Sequence, residues 1–173
     1  MRRSNDPVRT KELLGGLAEA ADPLGRRIAP EVGQDHPEVH DARLTGARVA
    51  SLATLDPDGR AHLVPIVFAL DGDTLYSAVD RKPKRSRRLR RIENARARAE
   101  VTILVDRYEE DWDRLWWIRL RGRARVLDTG QELEHALALL REKYPQYRVD
   151  PPTAPVLAVD VTEVREWSAD AGP

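Results

Sequence analysis

The sequence predicts a mainly β domain with a few helices, in which about six strands close into a small barrel. Three observations lead there. Two short segments with explicit turn chemistry, Asp56-Pro57-Asp58-Gly59 and Asp71-Gly72-Asp73, separate runs with strand patterning. The first of those runs, residues 48–55, is partly apolar on both faces, as in a barrel strand. The strong helical patterns fall after the third and fifth strands rather than alternating with every strand, which argues against a doubly wound sheet.

The elements follow in chain order. Residues 10–21 carry Leu13, Leu14, Leu17 and Ala21 at helical spacing, ended by Asp22 and Pro23, and residues 23–37 have the composition of an irregular linker. A second short helix is expected over residues 37–48. The first strand, residues 48–55, sets Val49, Ser51, Ala53 and Leu55 against Ala50, Leu52 and Thr54. Residues 61–70 form the second strand. Pro65 lies inside it, and because proline donates no ladder hydrogen bond, that strand belongs at an edge or a bulge. A third strand over residues 74–79, a helix over 84–96 and a strand over 100–106 follow. The long segment 115–127 is rich in Trp, Ile and Val, with Gly122 placed for a bend. Leu133, Leu137 and Leu140 space a helix over residues 131–143, and residues 156–167 give the last strand. The chain therefore divides into an N-terminal extension, residues 1–36, and one cofactor-sized domain, residues 37–170. At 173 residues it can bury a substantial core but leaves little room for a second domain.

Composition excludes several functions. Lys plus Arg and Asp plus Glu both total 29, so no global field marks a nucleic-acid binder. Cys is absent, which removes thiolate metal sites and cysteine nucleophiles. His36, His40, His62 and His135 are scattered without metal-binding spacing, and no metal is expected. No apolar run reaches the roughly 20 residues that span a bilayer, and no continuous apolar leader opens the chain, so a cytoplasmic location without membrane contact is expected.

The informative segment runs from Arg81 to Arg91, where eight of eleven residues are cationic. It connects a strand to a helix, a place where backbone N–H groups, the positive helix end and basic side chains can converge on a phosphate. The bland reading is a solvated basic face with Leu89 and Ile92 packed inward. The cluster holds no interleaved aromatic for base stacking, which disfavours nucleic acid. Asp56 and Asp58 belong to a turn. His62 lies on a strand and is a weak proton-donor candidate, and no catalytic residue is assigned.

Three stretches carry a family resemblance: residues 48–68, beginning Arg-Val-Ala-Ser-Leu-Ala-Thr-Leu; Lys82-Pro-Lys-Arg-Ser-Arg-Arg-Leu89; and Glu100-Val-Thr-Ile-Leu-Val-Asp106. Together they resemble the pyridoxamine 5′-phosphate oxidase-like split β-barrels that bind FMN, and most of all the branch using the deazaflavin coenzyme F420. Residues 111–122 and the motif Lys143-Tyr-Pro-Gln-Tyr147 are similar to one actinobacterial subgroup of that branch. The resemblance covers residues 42 to 167 and implies a homodimer with the cofactor at the interface. It implies that Val64, Pro65, Ile66 and Val67 lie along the flavin ring, and that Ser77 and Val79 end the strand beneath it. It implies that Lys82, Lys84, Arg85 and Arg88 grip the phosphate, and that Trp117 and Arg119 approach the cofactor from the partner subunit. The basic segment exceeds that of the FMN oxidases, which favours F420, whose tail carries a phosphodiester and carboxylates. The implied activity is hydride transfer to a small molecule, with FMN oxidation or non-catalytic cofactor binding as the alternatives.

Overall fold

Turn chemistry sets the first hairpin as the sequence requires. Gly59 takes a positive φ of 79°, and the Asp56 carboxylate accepts hydrogen bonds from the backbone N–H groups of Asp58 at 3.1 Å and Arg60 at 2.9 Å. The computed structural model describes residues 32–34, 41–79 and 89–169. Its strands are β1 (Val32–Gln34), β2 (Ala50–Leu55), β3 (Ala61–Ile66), β4 (Ala69–Asp71), β5 (Thr74–Val79), β6 (Glu100–Arg107), β7 (Trp116–Leu127) and β8 (Thr153–Ser168). Its α-helices are α1 (Ala42–Gly46), α2 (Arg90–Ala97), α3 (Gln131–Lys143) and α4 (Gln146–Val149). All recorded pairings are antiparallel, in the order β3-β2-β6-β7-β8-β5-β4, with β1 attached to β8 off that path.

Two differences from the expected six strands have physical causes. The expected second strand divides at Val67 and Phe68, because the buried Tyr144 hydroxyl takes over the backbone there. It accepts from Phe68 N–H at 3.0 Å and lies 2.7 Å from Phe68 C=O and 2.9 Å from Arg48 C=O, so these groups need no ladder partner. The second difference is β1, which falls in the stretch expected as an irregular linker. β5 covers β8 only as far as Asp160, and Val32–Gln34 pairs with residues 164–166 farther along the same edge. The expected helix over residues 10–21 lies outside the described residues. So do the first turns of the helices expected over 37–48 and 84–96, of which Ala42–Gly46 and Arg90–Ala97 are described.

The sheet has a hydrophobic cluster on each face. On the first face Leu52, Ile66, Phe68, Leu75, Ile103, Ile118, Leu120 and Val159 pack together, closed by Ile92 and Ala95 of α2. Asn94 of α2 is also buried and donates to Thr54 Oγ1 at 3.0 Å, which satisfies both polar groups. The second cluster joins Leu133, Ala136 and Leu140 of α3 to Tyr76, Ala78 and Ala158. The α3 helix spans the residues its leucine spacing predicts. Gly122 marks the register shift between β7 and β8. A Cβ there would come within 2.4 Å of Asp160 O and 2.8 Å of Val159 Cγ1, so the strands approach too closely for any other residue.

Candidate functional site

Strand alternation sorts the expected cofactor residues onto the two faces of the sheet. Ile66 is buried in the first cluster, and Val64 and Val79 pack against it. Ser77, two residues after Leu75 on β5, turns toward the same cluster and is 3% exposed. Its hydroxyl finds no hydrogen-bond partner among the described residues. An unpaired buried hydroxyl costs roughly 1–3 kcal/mol, so a polar ligand edge on this face fits the chain's own requirement. Val64, Ile66, Ser77 and Val79 are thus brought onto one face of the sheet, with Ile66 and Ser77 buried there.

The end of β5 leads toward the basic segment. Lys82, Lys84, Arg85 and Arg88 lie outside the described residues. Leu89 and Ile92 pack inward as expected. Arg91, in the first turn of α2, reaches back to Ala78 C=O at 3.4 Å, which places a guanidinium beside the strand end that carries Ser77 and Val79. The basic run contains Arg91, but charge density alone does not separate it from its neighbours; its position in the first turn of α2, two residues past the N-cap Leu89, is the signal that does.

Pro65, Trp117 and Arg119 occupy the opposite face. Pro65 pairs with Ser51, Ser51 with Leu104 and Leu104 with Arg119, so Pro65 and Arg119 share one row across three strand spacings, about 14 Å. Pro65 is exposed and sits on an edge strand, in keeping with its missing N–H. Trp117 is half-buried opposite Trp167, and the Arg119 guanidinium stands 5.6 Å from the Trp117 ring centroid. Trp116 alternates inward instead, packing against the first cluster beneath Arg43 at 5.4 Å. Val67 packs against the second cluster. Pro65, Val67, Trp117 and Arg119 are therefore not on the surface that holds Ser77 within one chain. The Pro65 side also carries exposed apolar groups, with Leu63 at 65% and Val49 at 58% exposure.

The remaining polar features are structural. His62 is half-buried opposite Thr54 on the first face. A cavity of about 510 Å³ is lined by residues that include Ala53, Leu55, Thr102, Gly122 and Thr162. The ion pairs Arg121–Glu163 (3.3 Å) and Arg123–Glu100 (2.6 Å) flank it, and it contains none of the expected cofactor residues. Arg125 binds both Asp160 and Glu132 at 2.8 Å, holding both carboxyls below their ordinary range and tying α3 to β7 and β8. No described helix is long and apolar enough to cross a membrane.

An antiparallel sheet with a helix against each face thus carries, at the strand end before the basic stretch of the sequence, a buried hydroxyl without a partner among the described residues. Residues 36–168 match the family model described as pyridoxamine 5′-phosphate oxidase, and the chain belongs to that family. Solved structures give the same fold. One is a 5-nitroimidazole antibiotic resistance protein of Bacteroides thetaiotaomicron (18% identity, 79% of this chain and 86% of that one, TM-score 0.60). A conserved hypothetical protein of Mycobacterium tuberculosis is similar over 83% of this chain and 90% of its own, with 19% identity and TM-score 0.63. A FAD-binding protein of Mesorhizobium loti is similar over 79% and 96%, with 20% identity and TM-score 0.55. No curated protein matches the chain.

Proposed function

We propose that this chain is a cytoplasmic F420-dependent oxidoreductase of the FMN-binding split-barrel type, working as a homodimer on a small-molecule substrate. The observation that carries the reading is the buried Ser77 hydroxyl, without a partner among the described residues, on the sheet face of Val64, Ile66 and Val79 and one residue from the carbonyl that Arg91 reaches. When bound, a deazaflavin supplies hydride chemistry. The chain's own part is to bind, orient and keep water out. Val64, Ile66 and Val79 provide the dry surface, and Ser77 Oγ donates to a polar edge of the ring. Lys82, Lys84, Arg85 and Arg88, with Arg91, hold the phosphate end. Eight cations in the eleven residues from Arg81 to Arg91 suit a phosphodiester and polycarboxylate tail better than the single phosphate of FMN.

The second face supports the dimer reading. Trp117 and Arg119 are directed away from the Ser77 face of their own chain, so a role at the cofactor requires an interface, which would also cover the exposed Leu63 and Val49. Sedimentation at micromolar concentration is expected to give a dimer; a monomer contradicts the shared site.

The binding test is anaerobic titration of the purified protein with F420, FMN and FAD, followed by fluorescence and absorbance. F420 is expected to bind most tightly, with Ser77→Ala weakening it by about tenfold through loss of one ring hydrogen bond. Binding of FMN or FAD alone would replace the F420 reading with the FMN oxidase one. Failure of all three would remove both.

A further inference from the structure

The motif Lys143-Tyr144-Pro145-Gln146-Tyr147 takes no part in the cofactor surface, yet it assembles an unusual group of charges. Lys143 ends α3, and its ammonium stands 4.2 Å from the centroid of the fully buried Phe68 ring and 5.9 Å from that of Tyr144. Arg48, just before β2, places its guanidinium 4.8 Å from the same Tyr144 ring and donates to Lys143 C=O at 3.1 Å. Two cations therefore gather at one aromatic ring. No carboxylate among the described residues pairs with either, although Arg43, Arg96, Arg107, Arg121, Arg123 and Arg125 all have acidic partners.

We propose that Arg48 and Lys143 form a binding site for a small oxyanion, a carboxylate or a phosphate group, seated against Tyr144 where β2 begins and the Val67–Phe68 break exposes no free backbone. This site is separate from the Ser77 surface and stands whether or not the cofactor is F420. Three features support it. Aromatic faces stabilise a cation but do not neutralise it, and no carboxylate among the described residues offsets the mutual repulsion of Arg48 and Lys143. The guanidinium offers a planar fork and the ammonium a compact point charge, the pair of donors that oxyanions take from proteins. The Tyr144 hydroxyl is committed to Phe68 and Arg48 C=O, which fixes the ring that both cations share. Burial and the nearby Arg48 charge also lower the Lys143 ammonium to a pKa of about 8, so an anion that stabilises the ammonium raises that value.

The chain has four lysines, Lys11, Lys82, Lys84 and Lys143, so lysine-labelled protein gives a short set of side-chain NMR signals, and Lys143→Met assigns its own by loss. The Lys143 midpoint is followed against pH in sodium chloride, inorganic phosphate, acetate or glycerol phosphate at equal ionic strength. Phosphate is expected to raise it by about one unit over chloride. Arg48→Gln, an exposed substitution, is expected to cut that rise at least severalfold, whereas Lys82→Ala with Arg85→Ala leaves it intact. A stronger response to acetate or glycerol phosphate than to inorganic phosphate marks the anionic end of an organic molecule as the ligand; the reverse marks the free ion. A rise no larger than in chloride, or one that Arg48→Gln leaves unchanged, or one abolished by the Lys82 and Arg85 pair, overturns the proposal.

Discussion

Replacing Tyr144 with Phe removes one oxygen and tests whether a single hydroxyl divides the strand at Phe68. Tyr144 is 1% exposed and Phe68 fully buried, so water does not readily take the hydroxyl's place. The substitution orphans Phe68 N–H, which gave a 3.0 Å bond, and deprives Phe68 C=O and Arg48 C=O of the one proton they share. An unsatisfied buried donor costs about 1–3 kcal/mol and a lost acceptor bond about 0.5–1.5 kcal/mol, for a loss of about 2–4 kcal/mol. In a chain of this size that lowers Tm by roughly 4–16 °C. Urea denaturation followed by circular dichroism measures it, with Tyr108→Phe, at a position 74% exposed, as the control. Because Phe68 lies two residues past the end of β3, which carries Val64 and Ile66, the variant is also expected to bind cofactor less tightly. A loss below about 0.5 kcal/mol, within the range of ordinary surface substitutions, would refute the reasoning: another partner would then satisfy this backbone.

Gly122→Ala is expected to cost about 1–3 kcal/mol in urea denaturation, since its Cβ would meet Asp160 O at 2.4 Å and both groups are backbone-fixed. Lys143→Met is expected to raise stability at pH 7 by about 1 kcal/mol, allowing for partial exposure and the stacking on Phe68 that offset its burial cost. The sign is specific. With a folded pKa near 8 and an ordinary value of 10.5, the burial cost is full below pH 8. It fades as pH rises to 10.5, because the unfolded chain then holds a proton the folded one has lost, so the advantage of Lys143→Met should vanish over that window. In the opposite direction, Asp160 and Glu132, lowered by Arg125, contribute stability that is lost as pH falls below their ordinary range. Arg125→Gln should therefore flatten the acid limb of the stability profile. Arg85→Ala with Arg88→Ala is expected to weaken cofactor binding by at least about tenfold per residue, with Arg2→Ala and Arg3→Ala as the equally cationic control.

The elements legible in the sequence are those whose signals are local. The Asp-Pro-Asp-Gly turn, the leucine spacing of α3 and the edge position of Pro65 each follow from backbone chemistry within a few residues, whereas Gly122, read as a bend, owes its place to the close approach of Val159 and Asp160 on another strand. The break at Val67–Phe68 was not legible, because its cause is a hydroxyl 76 residues away. The β1 pairing depended on where β5 stops along β8, a tertiary fact with no local pattern. Of the site, the sequence placed Val64, Ile66, Ser77 and Val79 on strands whose alternation the structure gathers onto one face. It did not separate Val67 from them, because that residue's side depends on the break that follows it. Arg91 was hidden by the uniform charge around it, and the Arg48–Lys143 cluster by the separation of 95 positions between its members.

Hydride transfer, as distinct from holding a cofactor alone, is tested directly by anaerobic stopped-flow mixing of the protein with reduced F420 and a panel of small acceptors, following the return of the oxidised deazaflavin absorbance. Acceptor-dependent reoxidation is expected, slowed in Ser77→Ala and in Arg85→Ala with Arg88→Ala. Tight binding of reduced F420 with no acceptor-dependent reoxidation across the panel would contradict hydride transfer and make the chain a cofactor-binding protein.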